Sequence, residues 1–313
     1  MRHWTRIGTL CLCTLISVCL SPAYAQERHR VTPIRTAMRT SNLGQIAFDS
    51  NRDGNLEIYV MNEDGSDQRN LTNDDAPDQN VTWSPDGRQL AFETYRDGSW
   101  EIWVINADGT DAHNLTNDPA EDRMPAWSPD GKFIAFISYR EPSSRIRSYG
   151  LFVMTANGAN VQQVGAALDF RPAWSPDSKT LAFMRHNEGT TDIYTIDLDG
   201  NNLRQLTHDP VEASQPAWSP DGSKIAFNST RDGNYQIYVM DADGSSQQNL
   251  SQNSSVDFSP SWSPDGSHIA YTSDRDGREA IFVMNADGSN QHNITRGSKA
   301  DRTPAWMPVQ LQP

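Results

Sequence analysis

The chain has 313 residues and a formal net charge of −14 at pH 7, with 40 Asp and Glu against 26 Lys and Arg. This acidic balance argues against a nucleic-acid groove or an anionic membrane surface as the partner, because phosphate contacts need dense Lys and Arg. The three cysteines, Cys11, Cys13 and Cys19, all lie near the N-terminus. The rest of the chain therefore has no disulfide and no thiol chemistry.

The N-terminal segment has the pattern of an export signal. Arg2 and Arg6 precede an apolar run at residues 7–20, and a small-x-small sequence ends at Ala25. These features predict a signal peptide over residues 1–25, cut after Ala25, and a periplasmic or secreted mature chain. Loss of the two arginines would lower the net charge from −14 to −16. The alternative is an uncleaved membrane anchor, which is disfavoured because a spanning helix needs about 20 apolar residues. We therefore expect no membrane insertion once the signal is removed.

One motif recurs through the rest of the chain, and each complete copy contains a tryptophan. The motif reads Trp-Ser-Pro-Asp-Gly, then Ile-Ala-Phe, Ile-Tyr-Val-Met, Asp-Gly and Leu-Thr. The tryptophans follow one another at intervals of 44, 47, 44, 44 and 44 residues: Trp83, Trp127, Trp174, Trp218, Trp262 and Trp306. A repeat of this length is typical of solenoids and propellers.

Each copy contains four short apolar runs. In the copy at Trp83 the runs lie at residues 81–83, 90–92, 102–105 and 114–116. Both alternating faces of 102–105 are apolar, as expected for a strand packed between two layers. Asp-Gly pairs follow the first and third runs and supply the positive φ and the hydrogen bonds that tight hairpins need. Four strands per repeat with this turn chemistry predict the blade of a β-propeller.

The two ends of the repeat region complement each other. The first copy begins at its second strand, residues 46–48, and the last segment is an isolated first strand, residues 304–306. Pairing them would complete one blade and remove an exposed sheet edge. We therefore predict an all-β, six-bladed β-propeller of four-stranded blades over residues 45–308, in a monomeric protein. An N-terminal tail at 26–44 and a C-terminal tail at 309–313 would flank it.

The Trp-Ser-Pro-Asp-Gly segment occurs in full at residues 83–87, 127–131, 218–222 and 262–266. Together with Arg-Asp-Gly-Asn leading into Ile-Tyr-Val-Met at residues 231–240, it resembles the propeller repeats of the TolB-like family. The resemblance spans residues 45–306 and implies a periplasmic propeller that binds a protein partner of the Tol–Pal envelope system. TolB proteins place an α/β domain before the propeller, whereas this sequence has only residues 26–44 there. The resemblance is therefore to the propeller alone.

The sequence contains no recognisable catalytic or cofactor motif. It lacks a Gly-x-Ser-x-Gly elbow, a His-Glu-x-x-His pair and a Gly-rich phosphate loop, and its histidines are scattered. We therefore expect a protein that is not an enzyme and holds no cofactor or metal. Calcium is the one alternative, because residues 49–54 copy the start of an EF-hand loop. Val60 occupies the position of the bidentate Glu, so hairpin chemistry is the favoured interpretation.

Two positions of the repeat carry opposite charges in nearly every copy. Five residues before each tryptophan stand Asp78, Asp122, Asp169, Ala213, Asp257 and Asp301. Four residues after the aromatic side chain of each second strand stand Arg52, Arg96, Arg140, Asn187, Arg231 and Arg275. The missing arginine, at Asn187, and the missing acid, at Ala213, belong to successive blades, which indicates that each arginine pairs with the aspartate of the following blade. The predicted inter-blade pairs are Arg52–Asp78, Arg96–Asp122, Arg140–Asp169, Arg231–Asp257 and Arg275–Asp301.

The two positions after each of these aspartates vary freely between copies. In a propeller they lie near the axis, at the mouth of the central channel. The larger side chains there are candidate partner-binding residues: Arg123, Met124, Phe170, Arg171, Phe258 and Arg302. Aromatic and arginine side chains at a concave mouth are typical binding anchors. Loop drift explains the variation equally well.

Two basic segments break the symmetry of the acidic chain, namely the long hairpin at residues 140–149 and the tail at 26–44. Either would contact an acidic partner or lie against the propeller. The favoured function is a non-catalytic exported propeller that binds a protein or peptide partner in the cell envelope. The alternative is a saccharide-binding or lyase-type enzyme that uses the channel as its cleft. A third hypothesis is a purely structural envelope component.

Overall fold

The computed structural model describes residues 44–140, 149–187, 189–297 and 299–308. The predicted signal peptide, nearly all of the N-terminal tail, most of the basic hairpin and the C-terminal tail lie outside the described residues. The described residues form twenty-four strands in six antiparallel sheets of four strands each. This architecture confirms the predicted all-β, six-bladed propeller.

Every sheet has the same order of strands, from the channel outward. The inner strands are β4 (Asp78–Trp83), β8 (Asp122–Trp127), β12 (Asp169–Trp174), β16 (Ala213–Trp218), β20 (Asp257–Trp262) and β24 (Asp301–Trp306). The second strands are β1 (Gln45–Ser50), β5 (Gln89–Thr94), β9 (Phe133–Ser138), β13 (Thr180–Asn187), β17 (Lys224–Ser229) and β21 (His268–Ser273). The third strands are β2 (Glu57–Asn62), β6 (Glu101–Asn106), β10 (Gly150–Thr155), β14 (Thr190–Asp197), β18 (Gln236–Asp241) and β22 (Ala280–Asn285). The outer strands are β3 (Arg69–Asn70), β7 (His113–Asn114), β11 (Gln162–Ala167), β15 (Arg204–Gln205), β19 (Gln248–Asn249) and β23 (His292–Asn293).

Both ends of the repeat region contribute to one sheet. Blade 1 has the order β24-β1-β2-β3, and blades 2 to 6 follow in chain order as β4–β7, β8–β11, β12–β15, β16–β19 and β20–β23. Ile46 of β1 pairs with Trp306 of β24, and Ala47 pairs with Ala305. The predicted closure is confirmed, because β24 covers the edge of β1 that would otherwise be exposed and gives blade 1 its fourth strand.

The apolar core lies between blades. Ala47, Ile58 and Val60 of blade 1 pack in one buried cluster with Leu90 and Phe92 of blade 2. Equivalent clusters join the other blades. A third strand is apolar on both faces because each face packs against a different neighbouring blade.

Two of the repeat tryptophans hydrogen bond to the preceding blade. The indole Nε1 of Trp83 donates to the carbonyl oxygen of Ala305 at 3.2 Å, and that of Trp174 donates to the carbonyl oxygen of Ala126 at 2.9 Å. Both tryptophans are buried. Their bonds therefore join neighbouring inner strands where water is excluded.

The hairpin glycines differ in how tightly their surroundings enclose them, which gives a matched pair for mutation. Gly65 and Gly98 have nearly equal φ angles, +82° and +86°. A Cβ atom at Gly65 would lie 2.0 Å from the carbonyl oxygen of Ile294, whereas a Cβ at Gly98 would meet no atom within 4 Å. We expect Gly98→Ala to lower the free energy of unfolding by about 1–2 kcal/mol through the positive φ. Gly65→Ala should lower it by about 1–3 kcal/mol more through the overlap. Urea unfolding of both variants tests this, and equal losses would contradict the steric argument.

Candidate functional site

Each inner strand contains a bulge at the same place. The register with the second strand shifts there, for example between Gln79 and Thr82 of β4. The residue in the bulge has a φ between 48° and 56° in all six blades: Asn80, Met124, Arg171, Gln215, Ser259 and Thr303. Such angles are uncommon outside glycine, and a bulge bends its strand and redirects a side chain.

The six bulge residues line the central channel. They surround a cavity of about 320 Å³, which we call the polar chamber. A second cavity of about 580 Å³ is lined by the tryptophans and prolines of the Trp-Ser-Pro segments, and we call it the Trp–Pro chamber. Trp127, Trp174 and Trp218 line both cavities, so the two chambers belong to one channel.

The predicted partner-binding residues fall into two groups. Met124 and Arg171 are bulge residues that line the polar chamber. The other four stand one residue earlier in their strands, and they do not line this cavity: Arg123, Phe170, Phe258 and Arg302. A one-residue step along a strand turns the side chain to the other face, which explains the separation.

The two arginines of the second group contact the preceding blade. Arg123 of blade 3 binds the buried carboxylate of Glu93 in blade 2, with Nη2 at 2.8 Å and Nε at 3.1 Å from Oε1. Arg302 of blade 1 forms an ion pair with Glu279 of blade 6. Both pairs, at positions predicted to bind a partner, therefore join neighbouring blades.

The predicted inter-blade pairs are wrong, because the arginines bind within their own blade. The closest nitrogen–oxygen distances are Arg52–Asp301 2.7 Å, Arg96–Asp78 2.6 Å, Arg140–Asp122 2.5 Å and Arg275–Asp257 3.3 Å. No ion pair joins Arg52 to Asp78, Arg96 to Asp122, Arg140 to Asp169, Arg231 to Asp257 or Arg275 to Asp301 in the part of the chain that the structure describes.

The register of the sheet explains the correction. Asp78 stands opposite Thr94, which is two residues before Arg96, so the aspartate and the arginine lie at the same end of one sheet. Asp122 and Ser138 have the same arrangement in blade 3. The arginine therefore reaches the aspartate across the hairpin end without crossing to another blade.

The two blades that depart from the repeat, blades 4 and 5, each form a different ion pair. In blade 4, Arg185 stands directly opposite Asp169 and binds both of its oxygens, at 2.6 and 2.8 Å. In blade 5, where Ala213 replaces the acid, Arg231 binds Asp209 at 2.6 Å. The joint absence at Asn187 and Ala213 therefore does not report a pairing between blades.

Burial dominates the electrostatics of these aspartates. It raises the pKa of Asp78, Asp122 and Asp169, although the neighbouring arginine lowers each pKa in part. The arginines also lie over aromatic rings, as Arg52 does over Tyr59 with 4.5 Å to the ring centroid. Each guanidinium thus offsets the buried charge and packs on the core, which makes these pairs part of the scaffold.

A buried polar side chain at the start of a third strand holds the loop that leads to the next inner strand. Glu57 accepts hydrogen bonds from the hydroxyl of Thr72 and, at 3.0 Å, from the backbone amide of Asp74. Burial raises the pKa of Glu57. In blade 5 the neutral Gln236 has this role and accepts from the hydroxyl of Ser251 at 3.0 Å. The loop at the mouth therefore needs a hydrogen-bond acceptor at this position, but the acceptor side chain need not be charged.

Two buried carboxylates adjoin the polar chamber. Glu93 accepts from Arg123, from Gln79 Nε2 at 2.8 Å and from the backbone amide of Met124 at 2.6 Å, so both of its oxygens are occupied.

The carboxylate of Asp49 has fewer hydrogen bonds than that of Glu93. It accepts a hydrogen bond from the hydroxyl of Thr303, while its Oδ1 has no hydrogen-bond partner among the described residues. Burial raises the pKa of Asp49 to about 7, because Thr303, the Asn80 amide and the charge of Arg171 offset only part of the lost hydration. This carboxyl group therefore titrates near neutral pH.

The sequence interpretation missed an aromatic cluster beside the mouth. We define the blade 2–4 cluster as Tyr95, Trp100, Arg123, Tyr139, Tyr149 and Phe170. Tyr95 lies edge-on to Trp100 at 5.6 Å between centroids, Arg123 lies 4.3 Å from the centroid of the Trp100 ring, and Tyr149 lies 5.8 Å from Phe170. Tyr139 stacks on Tyr149. Tyr95 is 45% exposed and the other members are half-buried.

A signal for this cluster was present in the sequence. Tyr95 and Tyr139 occupy one position of the repeat, just before the hairpin arginine, where the other blades have Asn51, His186, Thr230 and Asp274. The variation between copies that singled out the two positions at the mouth applies here too. The cluster forms because the second-to-third-strand hairpins open on the same face as the start of the inner strands.

In the hairpin that resembles a calcium loop, the carboxylates accept hydrogen bonds from different residues. Asp49 binds Thr303, whereas Asp53 accepts from the hydroxyl of Tyr59 and, at 3.0 Å, from Asn70 Nδ2. Among the described residues no group of three or more His, Cys, Asp or Glu side chains is placed to hold a metal ion.

The family described as the TolB beta propeller domain matches the chain over residues 34–146, 80–169 and 134–311, which together span most of its length. The chain belongs to the TolB β-propeller family. A comparison with curated proteins gave no match.

Solved structures of TolB proteins have a similar fold. TolB from Acinetobacter baumannii superposes with a TM-score of 0.74 and 23% identity, over 85% of this chain and 67% of that chain. A putative TolB from Agrobacterium tumefaciens gives a TM-score of 0.68 and 21% identity, over 85% of this chain and 99% of that chain. An oligogalacturonate lyase from Vibrio parahaemolyticus gives 0.54 and 15% identity, over 79% and 73% of the two chains. At these identities the likeness shows the fold alone.

Within the described part of this TolB-family propeller, no helix has the length and apolar character that crossing a membrane requires.

Proposed function

We propose that this TolB-family propeller is a non-catalytic, exported protein that binds a protein or peptide partner in the cell envelope at the mouth of its channel. The observation that carries the proposal is the blade 2–4 cluster. It is a contiguous surface of tyrosine, tryptophan, phenylalanine and arginine, which are the side chains enriched in the energetic centres of protein interfaces.

The asymmetry of the mouth supports binding by one sector of the ring. Blades 2 to 4 supply Trp100, Tyr149 and Phe170, whereas blade 6 has Glu279 where blade 2 has Trp100. A scaffold requirement would act on every blade alike, because the inner strands share one geometry. Tyr235 of blade 5 and Phe258 of blade 6 occupy the same repeat positions as Trp100 and Phe170. Among the described residues, however, the ring contacts that these positions make across blades lie in blades 2 to 4, which favours recognition by this sector.

The export pattern at residues 1–25 and the TolB family membership support the proposal that the partner lies in the envelope. The Tol–Pal system is the expectation that the resemblance supplies. Binding is proposed for a monomeric propeller, with the partner lying over the mouth.

A matched set of substitutions tests the site. Trp100→Ala and Phe170→Ala should each weaken partner binding by about tenfold or more while leaving thermal unfolding nearly unchanged, because both side chains are half-exposed. Phe258→Ala is the comparison, since Phe258 occupies the repeat position of Phe170 but lies in blade 6, away from the cluster. Arg123→Ala is unsuitable, because it would leave the buried Glu93 without its cation.

The partner can be captured by photo-crosslinking in the periplasm. A crosslinker at Tyr95 should trap it, and a crosslinker at the exposed His113 of the outer strand β7 should not. Binding of the captured partner is then measured for each variant. If Trp100→Ala and Phe170→Ala both bind it as the wild type does, the mouth is not the interface.

A saccharide-binding or lyase-type enzyme remains the second candidate. The similarity to an oligogalacturonate lyase and the arginine that lines the polar chamber favour it. A glycan array together with a metal assay of the purified protein separates the two classes of function.

A further inference from the structure

We infer that the polar chamber is a binding site for a carboxylate group, held by the guanidinium of Arg171. The inference deepens the proposed function and rests on it for the source of that carboxylate, an acidic side chain or C-terminus of the partner. A free sugar acid has the same chemistry and is distinguished by the experiment.

Arg171 makes no direct ion pair among the described residues. The inner strands carry three arginines, and two of them bind glutamates, Arg123 to Glu93 and Arg302 to Glu279. Arg171 forms no ion pair within 4.0 Å among the described residues, and its one hydrogen bond runs from Nη1 to the neutral Oδ1 of Asn80 at 2.7 Å. Burial lowers the pKa of Arg171, yet a guanidinium remains protonated at physiological pH.

The position of this cation suits a ligand in the channel. Arg171 belongs to blade 4 and Asn80 to blade 2, so the side chain extends past Met124, the bulge residue of blade 3. All three line the polar chamber. The remaining N–H groups of the guanidinium have no partner in the part of the chain that is described. They form a planar fork that matches the two oxygens of a carboxylate.

A second donor lies on the same wall. Gln215 accepts from the backbone amide and the hydroxyl of Ser259 through Oε1, at 2.7 and 3.0 Å. The opposite end of its amide, Nε2, has no partner among the described residues, and Gln215 lines the chamber. The volume of about 320 Å³ accommodates one side chain or one small acid, so the chamber would receive a single group of a larger partner.

The charges around the chamber decide how binding depends on pH. Asp49, Glu93, Arg123 and Arg171 are the charged groups that act on one another there. Glu93 is neutralised by Arg123, so the net charge depends on Asp49, whose pKa is about 7. Below that pH Asp49 is protonated and the chamber is cationic. Above it, Asp49 balances Arg171 and repels an incoming carboxylate.

The test compares charged and neutral probes of the same shape on the purified full chain. The probes are a tripeptide capped at both ends with one central Glu, its Gln counterpart, D-glucuronate and D-glucose. By calorimetric titration at pH 6, one charged probe should bind the wild type about tenfold or more tightly than its neutral counterpart. Arg171→Gln should abolish this preference, and Arg171→Lys should keep part of it because the charge remains without the fork.

The control is Arg88→Gln, which removes the same charge from an exposed hairpin that does not line the polar chamber, and it should keep the full preference. Between pH 6 and pH 8 the preference should fall by about tenfold in the wild type and stay constant in Asp49→Asn. A preference shown by the peptide alone identifies a partner protein as the source, and one shown by glucuronate alone identifies a sugar acid.

The inference is overturned if neither charged probe is preferred, or if Arg171→Gln retains the preference. Failure of the proposed function has a different outcome, in which the Glu peptide binds but Trp100→Ala and Phe170→Ala leave the partner bound. If those two variants lose the partner but neither charged probe is preferred, the carboxylate inference is overturned and the proposed function stands.

Discussion

Replacing Arg140 with alanine should lower the free energy of unfolding by about 3–5 kcal/mol, because it leaves a buried carboxylate without its cation. Asp122 has no exposed surface, and Arg140 Nη2 lies 2.5 Å from its Oδ2. Removing one partner of such a pair costs more than the pair contributes, since the remaining charge has lost its water as well.

Arg231→Ala is the control for this prediction. Arg231 stands at the same repeat position, lies over the ring of Tyr238 at 4.6 Å, and has an ion pair of similar length, 2.6 Å to Asp209. The side chain of Asp209 is 48% exposed, so water can replace the arginine. The loss should be about 1 kcal/mol or less.

Urea unfolding of the two alanine variants measures the difference. Adding Asp122→Asn to Arg140→Ala should recover part of the loss, because the amide is neutral. Equal losses for Arg140→Ala and Arg231→Ala would show that burial of the carboxylate is not what makes the pair important.

Asp49→Asn should stabilise the protein in a pH-dependent way, by up to about 4 kcal/mol at pH 7 and above. The ordinary pKa of this carboxyl group is 3.8, and burial raises it to about 7 in the folded protein. Between these two values the folded state keeps a proton that the unfolded chain has lost. The free energy of unfolding of the wild type therefore falls as the pH rises through this window, relative to a variant that cannot ionise.

The measurement is the difference in unfolding free energy between Asp49→Asn and wild type at pH 4, 5.5, 7 and 8.5. The difference should be small at pH 4, grow up to pH 7 and then stay level. Asp53→Asn is the control, because Asp53 is exposed and its pKa is lowered by the hydroxyl of Tyr59. A flat difference for Asp49→Asn would mean that this carboxyl group keeps its hydration in the folded state.

The prediction of the ion pairs shows where the sequence is ambiguous. The repeat predicts that Arg96 and Asp78 each form an ion pair, and both do, with each other. The predicted partner of each arginine lies one blade too far along the chain, because repeat position alone does not distinguish a neighbour across a hairpin from a neighbour in the next blade. The register of β4 against β5 resolves this, since Asp78 faces Thr94.

At the candidate site, too, repeat position alone does not predict what each side chain contacts. Arg123 and Arg171 stand at adjacent positions of the repeat, and the sequence predicts the same role for both. The bulge in each inner strand separates them, so that Arg123 binds Glu93, whereas Arg171 lines the polar chamber and makes no direct ion pair among the described residues. No residue type marks this bulge, because Asn80, Met124 and Thr303 all adopt it.

The sequence by itself determined the architecture of this protein. The tryptophan spacing and the apolar alternation recur in each copy and specify the four-stranded blade. The isolated strand at residues 304–306 completes the first blade, so that these features together specify a closed ring of six blades. Only the tertiary structure decided which charges meet, which residues line each chamber of the channel and which aromatic side chains form one surface. Those outcomes depend on contacts between segments distant in the chain, such as Arg171 with Asn80, and it is the closure of the ring that brings such segments together.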